Sequence, residues 1–376
     1  MKIVKNIRII ALYATLLAIS LSACTNNQEQ TKKENKQEIT SKEKIETKVK
    51  VGFIINGPVS DWGYNYAHDQ GRILAGKLIG NKIETSIIEN VPETADAERI
   101  MEKMIRANTN VIVATSFGYQ DTIVKLAKKY PNVKFIQAWG FKGGENIASY
   151  SAKMYESWYV MGIVAGKMTK TNKLGIVAAH PIPPMKWQIN AYVLGARSVN
   201  PDVTASVVFI NHWFDATLAS EATASLIEQN ADVLIGVLDN SVAVAQTSEK
   251  KGVHFIGHNA DLSKFAPKTM LTGTQWLWGN LYAAVLKDIL KGETLNGRHY
   301  TGGLKEKFVG VSDLSQSVPA EVRELVATTV NQIKSGELLV YQGPIKDNKG
   351  NIQVKDGEAL THDQIMGMNW LVEGIK

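Results

Sequence analysis

Residues 49–65 read Val-Lys-Val-Gly-Phe-Ile-Ile-Asn-Gly-Pro-Val-Ser-Asp-Trp-Gly-Tyr-Asn, and the fold turns on this stretch. Val49 to Asn56 is a nearly unbroken apolar run, the pattern of a strand buried on both faces of a parallel sheet. Gly57 and Pro58 end it. Asp61 then stands where a side-chain oxygen caps a helix over 62–78. In that helix Ala67, Gly71, Leu74 and Leu78 share one face, with small residues first, so the helix can lie close on a sheet. A buried strand, a short loop and an amphipathic helix form the opening of a doubly wound α/β unit.

The alternation continues outward. Ile83–Glu89, Val111–Thr115 and Val133–Ala138 read as further strands, with helices near 96–107 and 119–130. A helix near Tyr155–Thr169 leads away, and the pattern restarts with strands at Leu174–Ala178, Val203–Ile210, Val233–Leu238 and His254–Gly257. Helices near 186–198, 216–230 and 242–251 separate them. Two such units in succession predict an α/β fold of two Rossmann-like, doubly wound lobes with a cleft between. Lobe 1 is expected over 49–152 plus about 275–305, and lobe 2 over 153–274 plus about 306–376. The tail carries a helix at 278–291, a long helix from Pro319 and a closing segment at 361–374. Tails of this kind cross back between lobes as hinge strands.

Ahead of the folded part lies a targeting pattern over 1–23. Lys2, Lys5 and Arg8 precede an apolar stretch from Ile9 to Leu21, too short to span a bilayer. Leu21-Ser22-Ala23-Cys24 resembles a bacterial lipobox, in which Cys24 takes the lipid. Cys24 is the only cysteine of the 376 residues, which excludes an internal disulfide or a thiolate metal site. Residues 24–48 are Lys, Glu, Gln, Asn and Thr with almost no large apolar side chain, the composition of a disordered tether. Its reach is about 25–30 Å. The expected location is the extracytoplasmic face of the cell membrane.

The formal charge of +6 falls to +3 without Lys2, Lys5 and Arg8. Six lysines against five glutamates in the tether bring the folded body to +2. No basic stripe interleaved with aromatics appears, so no nucleic-acid partner is expected. The sequence has no GxxxxGK[ST], no GxGxxG after a strand, no GxSxG and no HExxH, and no cofactor, metal site or catalytic residue is expected. The reading is a binding protein, not an enzyme.

Open parallel sheets bind ligands outside the carboxyl ends of their strands. The candidate binding residues stand there. Trp62, Tyr64 and Asn65 follow the first strand, in the opening turn of its helix, and are expected to face the cleft. Phe117 follows the third strand. In the second lobe Trp187 follows Pro181-Ile182-Pro183-Pro184, and Asp239, Asn259 and Asp261 follow later strands. Thr274-Gln275-Trp276-Leu277-Trp278 reads as the opening of another helix, with Trp276 in the site. Flat π-faces with Asn and Asp edges suit a planar, hydrogen-bonding heterocycle.

Several of these segments carry a resemblance. Val51-Gly52-Phe53-Ile54 running into Ser60-Asp61-Trp62-Gly63-Tyr64-Asn65, Glu89-Asn90-Val91-Pro92, Leu194 to Pro201 and Gly367-Met368-Asn369-Trp370 resemble the basic membrane protein family of ABC-importer lipoproteins. The purine nucleoside receptors are its best understood branch. The resemblance runs from Val49 to Ile375. It implies a type I periplasmic-binding-protein fold, three hinge strands, a nucleobase or nucleoside ligand and ABC permease partners. It also implies that Tyr64 and Trp187 stack on opposite faces of the purine while Asn65 reads its edge. Where nucleoside binders carry Asp and Lys for the ribose, this chain has His258-Asn259 and Gln275-Trp276, so a sugar-free base is expected. Other readings are a signalling sensor, a binder of another planar heterocycle such as a flavin, and a nucleoside hydrolase.

Overall fold

The computed structural model describes residues 48–376. The signal segment, Cys24 and nearly all of the expected tether lie outside the described residues. No described helix is long and apolar enough to cross a membrane.

In chain order the first elements are β1 (Val49–Ile54), α1 (Tyr64–Ile79), β2 (Ile83–Ile88), α2 (Ala95–Arg106) and β3 (Val111–Ala114). Then come α3 (Gln120–Lys129), β4 (Lys134–Ala138), β5 (Ile147–Tyr150), α4 (Met154–Met168), β6 (Lys173–Ala178) and α5 (Pro183–Val199). They are followed by β7 (Thr204–Phe209), α6 (Ala216–Glu228), β8 (Val233–Val237), α7 (Val242–Lys251), β9 (His254–Gly257) and β10 (Met270–Trp276). The tail holds α8 (Trp278–Leu290), β11 (His299–Tyr300), β12 (Val309–Val311), α9 (Ala320–Ser335), β13 (Ile345–Lys346), β14 (Ile352–Val354) and α10 (His362–Met366).

The strands form two six-stranded sheets, ordered β11-β5-β4-β3-β1-β2 and β12-β10-β9-β8-β6-β7. All the pairings are parallel except β10 with β12. The central strands β3 and β8 are buried along their whole length, which is why their Val and Ile runs show no alternation. The chain is an α/β protein of two doubly wound lobes. β13 and β14 make a small separate hairpin.

Three segments pass between the lobes: Ser151–Lys153, Leu277 and the stretch from Thr301 to Phe308. They brace one another, because Lys153 N–H donates to the Gly302 carbonyl at 2.8 Å and Leu277 N–H to the Phe308 carbonyl at 2.9 Å. The chain end returns to the second sheet, where Lys376 N–H donates to the Ala205 carbonyl at 2.9 Å.

One expected element differs. Thr274–Trp276 does not open a helix; it ends β10, between β9 and β12, and the helix starts at Trp278. The β-branched Thr272 and Thr274 suit a pleated ladder, and the pairing lies with β12, more than thirty residues on. In the second lobe α4 and α5 cross in backbone contact. A Cβ on Gly162 would fall 1.9 Å from the Tyr192 carbonyl oxygen, so glycine there sets how α5 lies.

Candidate functional site

The strand ends of the two sheets face each other across a cavity of about 910 Å³. Lobe 1 contributes Tyr64, Glu93, Phe117, Trp139 and Phe141 to its wall, and lobe 2 contributes Trp187, Gln188, Trp213, Asp239, Asn259 and Trp276.

Tyr64 is set by two bonds. Its hydroxyl donates to the Thr115 carbonyl at 2.6 Å and accepts from Trp139 Nε1 at 3.1 Å. Burial pushes this hydroxyl well above the usual phenol range, so it stays protonated and can donate. Trp139 follows β4 with a left-handed backbone, φ 57°. Its indole meets Trp276 edge-on, centroids 5.8 Å apart at 74°.

Trp276 Nε1 donates to Asn259 Oδ1 at 2.7 Å, and Asn259 Nδ2 donates to the Leu238 carbonyl at 3.0 Å. Asn259 also has positive φ, 70°, a conformation asparagine tolerates better than most residues. Behind the cavity Trp276 stacks on Trp278 at 4.6 Å, and Trp278 on His68 at 5.0 Å. His68 Nδ1 lies 2.6 Å from the Tyr282 hydroxyl. This column continues through the Leu277 crossing, so the cavity wall and the hinge share their packing.

Two further groups set the electrostatics. Burial, then the negative charges of Asp61 and Glu93, push the Asp239 carboxyl up to about 7. Burial lowers His258 to about 3, so it is a neutral imidazole beside Thr274 Oγ1 at 3.0 Å. At another part of the wall Ser149 and Ser151 hydroxyls each lie 2.7 Å from a ring nitrogen of His299. Among the described residues no group of three or more His, Cys, Asp or Glu is placed to hold a metal.

The sequence candidates divide. Tyr64, Phe117, Trp187, Asp239, Asn259 and Trp276 line the cavity, whereas Trp62, Asn65 and Asp261 do not. Trp62 turns outward because its backbone is left-handed, φ 51°. Its ring stacks on Tyr66 at 4.6 Å, meets Phe265 edge-on at 5.7 Å and lies under Lys264 Nζ at 2.9 Å. Asn65 is buried; its Nδ2 donates to Asp61 Oδ2 at 3.0 Å and its Oδ1 accepts from Gly57 N–H at 3.3 Å. It closes the loop instead of reading a ligand edge. Asp261 is exposed and accepts from Ser263 N–H at 2.9 Å, a local turn bond.

Trp187 is only 1% exposed, edge-on to Tyr155 at 6.0 Å, so it offers the cavity little of its face. The open aromatic surfaces belong to Tyr64, Trp139, Phe117, Phe141 and Trp213. Trp139 and Trp213 follow β4 and β7, and the rule that pointed to Tyr64 would have found both. Glu93 and Gln188 carry no such signal.

The lobes touch at the rim of the cavity. Tyr64 N–H donates to the Asp239 carbonyl at 3.1 Å, and a Cβ on Gly63 would fall 1.4 Å from that same oxygen.

A two-lobed α/β chain with its cavity at facing strand ends has the form of a solute receptor. A family model described as ABC transporter substrate-binding protein, PnrA-like, matches residues 48–343. The chain belongs to this Bmp family. A purine-binding protein of Brucella abortus (strain 2308) is 40% identical over 330 residues, covering 88% of this chain and 93% of the relative. A putative ABC transporter glucose-binding protein of Haloferax volcanii is 34% identical, covering 78% and 74%. Two solved structures show the same fold. One is a transcriptional activator of the comK gene from Bacillus halodurans (TM-score 0.69, 24% identity, covering 77% of this chain and 98% of that one). The other is an ABC transporter solute-binding protein from Aeropyrum pernix K1 (TM-score 0.65, 21% identity, 84% and 95%). As a Bmp-family member the protein is an ABC transporter substrate-binding component and not an enzyme. Its partners are a small ligand and permease subunits.

Proposed function

We propose that this Bmp-family protein captures a purine-type nucleobase, or its nucleoside, between its closing lobes and presents it to the permease. In this reading a lipid on Cys24 holds it at the extracytoplasmic face of the cell membrane. The observation that carries the ligand class is the cavity itself: Tyr64, Trp139 and Trp276 wall a space whose edge offers the Asp239 carboxyl. Stacking on aromatic faces contributes about 1–3 kcal/mol per base, and the polar edge supplies orientation. The purine-binding name of the Brucella relative supports the same class.

A free base is favoured over a nucleoside. The positions that the resemblance gives to ribose recognition are here Asn259 and Trp276, and they bond to each other at 2.7 Å. Their polar atoms are engaged, and no carboxylate or ammonium is left there for sugar hydroxyls.

A thermal-shift panel of purine bases, nucleosides, hexoses, amino acids and flavins tests this reading. Ligand at a hundredfold excess over Kd stabilises the native state by about 2.7 kcal/mol. The largest shift should come from a purine base; a larger one from glucose or a flavin would refute the class. The anchor is tested by Cys24→Ser, which should move the protein from the membrane to the soluble fraction, since acyl chains contribute about 0.8 kcal/mol per buried CH₂. Retention of the serine variant on membranes would exclude it.

A further inference from the structure

The lobe 2 wall has a hydrogen-bonding bias. Asp239 follows β8 and Gln188 lies in the second turn of α5, whose preceding strand β6 pairs directly with β8. Gln188 is 3% exposed. Its Nε2 donates to the Pro184 carbonyl at 2.7 Å, which orients the amide; Oε1 is buried and has no partner among the described residues, in a side chain that lines the cavity.

Asp239 is held by its backbone: its N–H donates to the Trp213 carbonyl at 3.2 Å, and its carbonyl accepts from Tyr64 N–H at 3.1 Å. Its carboxyl receives no protein donor among the described residues. Glu93 brings another carboxylate to the same cavity from lobe 1, and among the described residues no lysine or arginine lines it. Acceptors thus outnumber donors on this edge, and a ligand has to supply the N–H groups. A buried amide oxygen left unpaired carries a desolvation penalty that a ligand N–H removes.

We propose that Asp239 and Gln188 select an amino-substituted purine over its oxo counterpart, the exocyclic amino group donating to the Asp239 carboxylate and to Gln188 Oε1. This rests on the purine reading above and adds which purine edge the site reads. An amino group brings two donors to that edge. An oxo group brings only lone pairs, and the single ring N–H beside it can serve one of the two acceptors and not both, so an oxo purine leaves the other unpaired or turns its oxygen toward the carboxylate. Sites built to bond a substrate N–H reject analogues lacking it far more strongly than they reject a missing methylene.

The selectivity should depend on pH. The titratable groups that act on or with Asp239 are Asp61 from the loop before α1, Glu93 from the loop before α2 and Tyr64 from α1, and His258, just after β9, lines the same cavity. Of these Asp61 and Glu93 are carboxyls, and with burial they hold Asp239 near 7. Above that pH the group only accepts. Below it the acid O–H can donate to an oxo oxygen. An oxo purine therefore binds the protonated form. Between pH 6 and pH 8 that form falls from about nine-tenths to about one-tenth, weakening oxo-purine affinity about tenfold. The amino purine prefers the carboxylate and gains over the same range.

Calorimetric titration of the mature protein with adenine and hypoxanthine, at pH 6 and pH 8, tests this. Adenine should bind at least about tenfold tighter at pH 8, with a smaller gap at pH 6. In Asp239→Asn, whose amide can turn to donate, the two ligands should bind within about threefold at both pH values. Gln188→Met keeps the volume and should weaken adenine while leaving hypoxanthine unchanged. Equal affinities at pH 8, or full discrimination with its pH dependence intact in Asp239→Asn, would overturn the proposal and leave the purine reading standing. Binding of neither purine would overturn both.

Discussion

Replacing Gly63 with alanine places a methyl carbon 1.4 Å from the Asp239 carbonyl oxygen. Ordinary van der Waals contact begins near 3.4 Å, so the two lobes would have to separate at this edge by about 2 Å. The hydrogen bond from Tyr64 N–H to the same oxygen, now 3.1 Å, would be lost with that movement. A net backbone hydrogen bond contributes about 0.5–1.5 kcal/mol. The ligand would also lose close contact with one wall, because Tyr64 and Asp239 both line the cavity. We therefore expect affinity to fall about 10- to 100-fold, equivalent to about 1.4–2.7 kcal/mol. Folding should hardly change, since Gly63 touches the other lobe and not the core of its own. The assay is titration of adenine into wild type and Gly63→Ala, paired with urea unfolding of both ligand-free proteins. Small-angle scattering should show a larger radius of gyration for the variant. Wild-type affinity together with an unchanged radius would mean that this contact does not hold the working closed form.

Three other expectations follow from the geometry. The ring of Trp62 is gripped from the opposite lobe by Lys264 and Phe265, outside the cavity, so Lys264→Met should weaken adenine binding a few-fold without altering base selectivity. Altered selectivity in that titration would place Lys264 in contact with ligand. Trp187→Ala should cost about 3–5 kcal/mol of folding stability in denaturant, because the side chain is almost wholly buried; a variant as stable as wild type would show that the indole is a cavity face. His68 and His258 are both lowered by burial to about 3, so each stays neutral while its unfolded counterpart protonates below about 6.5. Stability should therefore fall with pH from about 6 to 4, each histidine contributing about 1.4 kcal/mol per unit. The raised carboxyl of Asp239 works the other way over that range, offsetting roughly one histidine, so Asp239→Asn should steepen the acid limb of the unfolding curve. An unchanged or flatter limb would contradict that assignment.

Hydrophobic patterning was enough to read the two α/β units. Val49–Ile54, Val111–Ala114 and Val233–Val237 are strands because unbroken Val and Ile runs have no favourable exposed state. The strand-end rule then brought Tyr64, Phe117, Trp187, Asp239, Asn259 and Trp276 to the region of one cavity. Local pattern could not establish strands of two to four residues such as β5, β11 and β12, since β11 pairs with β5 and β12 with β10 across long stretches of chain. Nor could it orient side chains at loop positions. Trp62 and Tyr64 are two residues apart, yet one turns out to Lys264 and the other in to Thr115, because the backbone at Trp62 is left-handed. Asn65 was legible as a polar residue at a helix start, but Asp61 and Gly57 take up its amide. The engagement of Asn259 with Trp276, the orphaned oxygen of Gln188 and the meeting of Gly63 with Asp239 belong to tertiary structure alone. Periodicity reports which residues leave water, a property each segment carries by itself. Hydrogen-bond partners and close approaches depend on where a second segment arrives, and here the hinge crossings and the packing of the two lobes decide it.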